Sequence, residues 1–230
     1  MNKPIKIAID GPVGSGKGTL ALALSKKLNA FYVNTGAMYR ELALACLRNS
    51  VNMKNGNEVL ETFKKSLIEI RPAEKGIRAF LNGEDVSEEI FKPAVSQASA
   101  DVAVFPKVRK AMVIKQRKIA EDAVKRGKSV VMEGRDITTD VIPNADIKIY
   151  LTADINIRVQ RRLKQLADRG IKTSFDEVLK DIEERDRQDT QRSASPLRIV
   201  EDAVVIDTTN DTINQTAGKV IEKLKEKNLV

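Results

Sequence analysis

The chain of 230 residues is 42% hydrophobic and 31% charged, long enough for one well-buried core or two small ones and too short for a large modular protein. Histidine is absent and Cys46 is the only cysteine, which excludes Ser-His nucleophilic triads, His-type zinc sites, imidazole acid/base chemistry and internal disulfides. The net charge is +8, and nine basic against two acidic residues fall between Pro106 and Lys128.

Ile5–Ile9 is the first short, continuously apolar run and reads as a strand covered on both faces. A helix is predicted over Lys17–Leu28, with Leu20, Leu24 and Leu28 at i, i+4 and i+8. Strand Phe31–Val33 and helix Thr35–Leu47 follow, with Thr35 as a hydroxyl cap and Cys46 as a small buried hydrophobe. Ser66–Val86 breaks this rhythm. Ile68 and Ile70 alternate with Glu69 and Arg71, Gly76–Leu81 comes next, and Asn82-Gly83 offers a hairpin turn, so an antiparallel insertion off the main sheet is predicted. Helix Pro106–Arg126, with Pro106 in a first-turn position, leads to strands Ser129–Met132 and Ile147–Leu151. Helices Asp154–Leu166 and Ser174–Arg192 follow, the second opened by a Ser174/Glu177 capping box. Strand Ala203–Ile206 and helix Thr212–Lys225 come last. Alternating β and α elements predict an α/β fold, a mainly parallel sheet sandwiched by helices. The longest apolar run, Leu42–Leu47, is six residues against the ~20 of a membrane helix, and Asp10 interrupts the first apolar stretch before a signal-peptide core can form. A soluble protein in a reduced, cytoplasmic setting, with no membrane partner, is expected.

The strongest motif follows the first strand: Gly11-Pro12-Val13-Gly14-Ser15-Gly16-Lys17-Gly18-Thr19, with four of the chain's twelve glycines between Gly11 and Gly18. Crowded glycines let successive N–H groups curl inward around phosphate oxygens, and the helix N-terminus and Lys17 add positive charge. Gly18 stands between the lysine and Thr19, the variant of the phosphate-binding loop found in nucleoside monophosphate kinases. No Asn-Lys-x-Asp element for reading guanine is present. A small kinase also needs cations for a second phosphorylated substrate. On the helix Ser174–Arg192, Val178, Ile182, Arg185, Asp189 and Arg192 share one face, and charges continuing an inward face need partners. They form either a self-paired network or, beside the phosphate loop, one wall of a polyphosphate cleft, the reading preferred here. Arg158, Arg161 and Arg162, at i, i+3 and i+4, suggest an arginine-bearing flap, with Arg158 equally open to a solvated role. Glu133-Gly134-Arg135-Asp136 lies at the carboxyl edge of a strand, where ligands bind, and Thr35 with Arg40 reads as an anion site. Glu133 suits metal-bound water or a substrate base there. The basic run Pro106–Lys128 is either a nucleic-acid face or, as preferred, a solvated helix with some arginine aimed at a phosphate.

These motifs, together with Phe105–Arg109 (Phe-Pro-Lys-Val-Arg) and Ser195-Pro196-Leu197, resemble in order and along almost the whole chain the long bacterial form of the cytidylate kinase family. The resemblance implies a P-loop kinase fold with a five-stranded parallel sheet, the P-loop strand central, in one domain spanning 1–230. A nucleotide-monophosphate-binding region at about 35–106 would carry the small antiparallel β insertion at about 66–92, and a lid would span about 158–192. It implies transfer of the γ-phosphoryl of ATP, with Mg²⁺, to CMP or dCMP, in pyrimidine nucleotide metabolism. Gly11, Pro12, Val13, Gly14, Ser15, Gly16, Lys17, Gly18 and Thr19 would then bind ATP, with Thr19 or Glu133 near the metal through water and no direct protein ligand to it. Thr35, Arg40, Arg135 and Arg192 would hold the acceptor phosphate, Arg109 and Asp136 the cytosine, and Arg185 and Asp189 the ribose side. Arg161 and Arg162 match the lid arginines, and Lys17, Arg161, Arg162, Arg185 and Arg192 are the expected catalytic set. Neither nucleic acid nor a second subunit is expected as a partner. Three positions depart from the family pattern: Ala100 replaces a serine that hydrogen-bonds the base, with Ser99 adjacent; Glu133 replaces an aspartate; and Thr138-Thr139 replaces Gly-Thr.

Overall fold

The computed structural model describes residues 3–74 and 76–230. In chain order, β1 (Lys6–Asp10), α1 (Lys17–Lys27), β2 (Phe31–Asn34), α2 (Thr35–Arg48) and α3 (Gly56–Lys65) lead into β3 (Ile68–Ala73), β4 (Gly76–Leu81) and β5 (Glu84–Asp85). A 3-10 turn (Glu89–Phe91), α4 (Pro93–Val102) and α5 (Pro106–Lys125) return the chain to β6 (Val130–Gly134). A π-type turn (Ile137–Val141) precedes β7 (Ile147–Thr152), after which come α6 (Ile155–Ala167), α7 (Phe175–Gln191), β8 (Val204–Asp207) and α8 (Ile213–Glu226).

The main sheet has the order β2-β6-β1-β7-β8 with every neighbouring pair parallel. Central β1 is buried from Ile7 to Asp10 and β6 throughout, as their continuous apolar character requires once helices cover both faces. One apolar cluster joins Val33, Met38, Leu42, Met112, Met132 and Ile137 on one side. The other joins Ile7, Ile9, Leu20, Leu24, Ile149, Val220 and Leu224. All five predicted strands are present, with ends moved by one or two residues.

The predicted insertion is a separate antiparallel sheet, β3-β4-β5. Ile68 faces Leu81 across it, and Asn82 and Gly83 join β4 to β5 with φ of 53° and 87°, a turn with both central residues left-handed, as an Asn-Gly hairpin prefers. Its buried Ile68, Ala79 and Leu81 pack into the cluster that contains α2. Glu41 of α2 is 0% exposed in this region, and neither of its carboxyl oxygens makes a hydrogen bond of normal geometry. Burial pushes that carboxyl up to about 9, with the Phe80 amide and the Lys115 ammonium offsetting only part of the effect.

Two helices lie where no element was predicted. In α3 only Val59 is fully buried, so its apolar stripe is short, although Asn55 caps it by accepting from the amides of Asn57 and Glu58. Helix α4 carries mostly small residues and so shows little periodicity, with Pro93 in its first turn. The predicted Thr35 cap is also corrected. Asn34 caps α2 by accepting from the Ala37 amide at 2.9 Å, while the Thr35 hydroxyl donates to the Glu133 carbonyl at 2.8 Å and ties β2 to β6. Ser174 and Glu177 form the expected capping box. Helices α6 and α7 share a small apolar cluster of their own, centred on Val159, Val178 and Ile182 and apart from the two large ones.

Candidate active site

At the carboxyl end of the sheet, the β1–α1 loop, the start of α2, the end of α4, the β6 turn and the α6–α7 pair surround a cleft of about 310 Å³. The loop is held from beneath. The Ser15 hydroxyl donates to the Pro12 carbonyl at 3.0 Å and Lys17 Nζ to the same oxygen at 2.7 Å. Gly14 and Gly16 have φ of 78° and 92°, and a Cβ on Gly14 would sit 2.8 Å from Arg158 Cβ, so both backbone freedom and close approach demand glycine there. Val13, Gly14, Gly16, Lys17, Gly18 and Thr19 line the cleft, with the first amides of α1 beside them, while Gly11, Pro12 and Ser15 are buried beneath. Burial, and then the charge of Arg135, push the Lys17 ammonium down to about 7.

Eight cationic side chains and three carboxylates line the cleft. Arg109 donates to Asp136 at 2.6 Å in a pair with side chains only 3% and 5% exposed, and its guanidinium lies 5.3 Å from the centre of the Tyr39 ring. Asp189 accepts from Arg135 at 2.6 Å and from Arg192 at 3.0 Å. Burial would raise the Asp189 carboxyl, but these two guanidiniums more than reverse that and hold it below its ordinary value. Arg192 also donates to the Ser195 carbonyl at 2.7 Å, and its remaining terminal nitrogen is buried without a partner. Arg40 donates to the Ile90 carbonyl and to Ser96. Burial, then the nearby Arg185, Arg162 and Arg169, lower it to about 9. Among the described residues Arg40, Arg162 and Arg169 make no ion pair, so this wall carries uncompensated positive charge aimed at the cavity. Such a surface takes a polyanion.

The predicted site residues Lys17, Thr35, Arg40, Arg109, Arg135, Asp136, Arg162, Arg185, Asp189 and Arg192 all lie on this cleft, as does Glu133. Arg161 does not. Its guanidinium donates to the Thr208 hydroxyl at 2.8 Å and to the Thr208 carbonyl at 2.6 Å, and that hydroxyl reaches the Ser15 and Thr152 carbonyls, both at 3.1 Å. Arg161 thus braces the underside of the phosphate loop, because residues 161 and 162 point about 100° apart on a helix. Arg158 is neither solvated nor aimed into the cleft. It is 8% exposed and donates to the carbonyls of Ala153 and Val13 and to Asp186 at 2.5 Å. Arg185 pairs with Asp181 at 2.8 Å rather than with Asp189. The exposed face of α5 keeps most of the basic run, and only Arg109 of that run reaches the cleft.

Sequence reasoning missed Tyr39, Phe91, Gln165, Arg169 and Gln188, which also line the cleft. Tyr39 and Arg40 are adjacent in α2, so a signal for the first existed, whereas Phe91 and Arg169 meet only through the fold. The Thr138 departure has a structural account. Its hydroxyl donates to Asp10 at 2.7 Å, beside amide donations to that carboxylate from Ile137 at 3.0 Å and Thr138 at 2.8 Å. The turn carrying Asp136 is thereby fixed to the end of β1.

The family model described as Cytidylate kinase matches residues 7–226. The cytidylate kinase of Caldanaerobacter subterraneus subsp. tengcongensis is 45% identical over 98% of this chain and 97% of its own length. That of Carboxydothermus hydrogenoformans is 42% identical over 97% and 99%, and that of Bacillus subtilis 37% identical over 99% of both. Among solved structures, an uncharacterized protein from Eubacterium ventriosum superposes with a TM-score of 0.52 at 16% identity, covering 97% of this chain and 99% of the other, a likeness of fold alone. With matches of this extent and order, the chain belongs to the cytidylate kinase family, and it is a nucleoside monophosphate kinase.

Proposed function

We propose that the protein transfers the γ-phosphoryl group of ATP to CMP and dCMP by in-line displacement. The observation that carries this reading is one cleft lined both by the glycine-rich loop and by Arg40, Arg135 and Arg192, with the buried Arg109–Asp136 pair in its wall. The loop amides and Lys17 hold the ATP phosphates. Arg40, Arg135 and Arg192 with Thr35 clamp the acceptor phosphate, the Arg109–Asp136 pair meets the edge of cytosine, and Arg185 with Asp189 meets the sugar. Arg162, together with Arg185 and Arg192, stabilises charge on the transferring group once the α6–α7 pair closes as a lid and excludes water. The acceptor phosphate is already largely ionised near pH 7, with its second pKa near ~6, so positioning replaces a general base and a chain without histidine suffices.

Mg²⁺ fits this site as an ion brought in with ATP. The described residues hold no cluster of three metal-ligating side chains, while the Thr19 hydroxyl and the Glu133 carboxylate line the cleft beside the loop. These are hard oxygen donors of the kind Mg²⁺ accepts directly or through water. Bound there, it would neutralise phosphate charge. A cytoplasmic monomer acting in pyrimidine nucleotide metabolism is part of the same proposal.

The test is a coupled ADP-release assay with ATP and Mg²⁺ against CMP, dCMP, UMP, AMP and GMP, with Lys17→Met as the blank. Turnover restricted to CMP and dCMP is expected. Preference for AMP or GMP, or no turnover with any acceptor, overturns the proposal. Ala100 gives UMP a specific claim to inclusion, because a pocket that lacks one hydrogen bond to a polar base edge discriminates less.

A further inference from the structure

Phe91 is the last residue of the 3-10 turn after the antiparallel insertion, with its ring half-buried against the larger apolar cluster. Two guanidiniums lie over that ring. Arg169, from the turn between α6 and α7, has its central carbon 4.2 Å from the ring centre, and Arg40 of α2 has its own at 5.4 Å. Both distances fall within cation–π range. Arg169 follows Asp168, the last cap of α6, and precedes Gly170, whose φ is 72°, so it sits at the tip of the helix pair. Among the described residues its side chain makes no hydrogen bond or ion pair, and it rests on the Phe91 ring. The pair it belongs to is packed on its own small cluster, apart from the two main cores.

Burial first, and then the charges of Arg185, Arg162 and Arg169, lower the Arg40 guanidinium, so the four sit close enough to feel one another. Unscreened, these like charges oppose one another's approach. An acceptor phosphate at Arg40 turns that repulsion into shared attraction and strengthens the contact that Arg169 makes with the ring. Resting on the kinase reading above, we propose that Phe91 and Arg169 are positioning residues that latch the α6–α7 pair shut over the cleft in response to acceptor phosphate at Arg40. Neither is assigned contact with the reacting atoms.

The chain contains no tryptophan, so Phe91→Trp keeps an aromatic face and installs a single fluorescent reporter at the latch. Its emission is expected to change when CMP is added together with a non-hydrolysable ATP analogue, and Arg169→Ala in the same background should remove most of that change while leaving CMP binding detectable. In the otherwise natural chain, Arg169→Ala and Phe91→Leu should each lower kcat/KM for CMP by about 3- to 30-fold, the range a desolvated cation–π contact supports. The double variant should lose no more than either single one, and Phe91→Trp should retain turnover. Arg169 is exposed, so its variant reports on the latch even where Phe91→Leu lowers stability. Additive losses, or a fluorescence change indifferent to Arg169, would overturn the latch. Absence of turnover in the unaltered protein would instead overturn the kinase reading, and the reporter still follows ligand binding in that case.

Discussion

Glu41→Gln tests the energetic account of the buried carboxyl under the antiparallel sheet. Glu41 has an ordinary value of 4.5 and a folded value of about 9, so between these limits the folded state holds one proton more than the unfolded state. Stability is therefore greatest below pH 4.5 and falls by about 1.4 kcal/mol per pH unit as pH rises towards 9. From pH 5 to pH 8 this amounts to about 4 kcal/mol as an order of magnitude. Glutamine has nearly the same shape and cannot ionise. The variant should be within ~1 kcal/mol of the natural protein near pH 4.5, where ionisation of the unfolded chain has barely begun to count, and should pull ahead steadily above that. For a chain of this length each kcal/mol moves Tm by ~2–4 °C, so the gap should widen by ~3–5 °C per pH unit. Urea unfolding followed by far-UV circular dichroism at pH 5.5, 7 and 8.5 measures it. The Asp10 carboxyl is also raised, by burial, but it is present in both proteins and cancels in the difference. Parallel stability curves, or a glutamine variant less stable at pH 8.5, would refute the reasoning.

Three further outcomes are expected. Burial pushes the Lys17 ammonium down to about 7, and triphosphate beside it must raise that value, so at pH 8 ATP binding should be accompanied by net proton uptake. Calorimetry in buffers of different ionisation enthalpy reads this, and Lys17→Met should abolish it. Arg192→Ala and Arg185→Ala should each lower kcat by ~10³-fold, as loss of a transition-state arginine does, with circular dichroism unchanged; near-normal turnover would remove them from the catalytic set. Thr138→Val removes the hydroxyl that reaches Asp10, which should cost about 1–3 kcal/mol in unfolding experiments, with a larger rise in KM for CMP than for ATP because the turn carries Asp136.

Much of this could be read in advance because it is local. The strands are continuous apolar runs, the phosphate loop is a contiguous motif between a strand and a helix, and Asn82-Gly83 specifies its own turn. What escaped depends on rotation and assembly. Spacing places Arg158, Arg161 and Arg162 on one broad face, but which edge of that face meets the cleft depends on how α6 is rolled against its neighbours. The result sends Arg162 to the cavity, Arg161 to Thr208 and Arg158 to Val13. Phe91 and Arg169 are 78 residues apart, and nothing local to either predicts their meeting. Helix α4 went unseen because its alanines and serines give no strong apolar period.

The position of β1 in the sheet has a consequence for how the protein is made. It is the first strand in the chain and the middle one in space, and its two neighbours, β6 and β7, begin at Val130 and Ile147. A ribosome adding ~5–20 residues per second needs roughly 7 to 28 s after finishing β1 before β7 has been synthesised. For most of that interval, until β6 has been made, an apolar strand waits without hydrogen-bonding partners. Arg158, on which Gly14 rests, comes later still. The phosphate loop thus takes its shape only once two thirds of the polypeptide exists, so truncated chains released early carry the glycine-rich sequence without the nucleotide cradle and expose a sticky strand to chaperones.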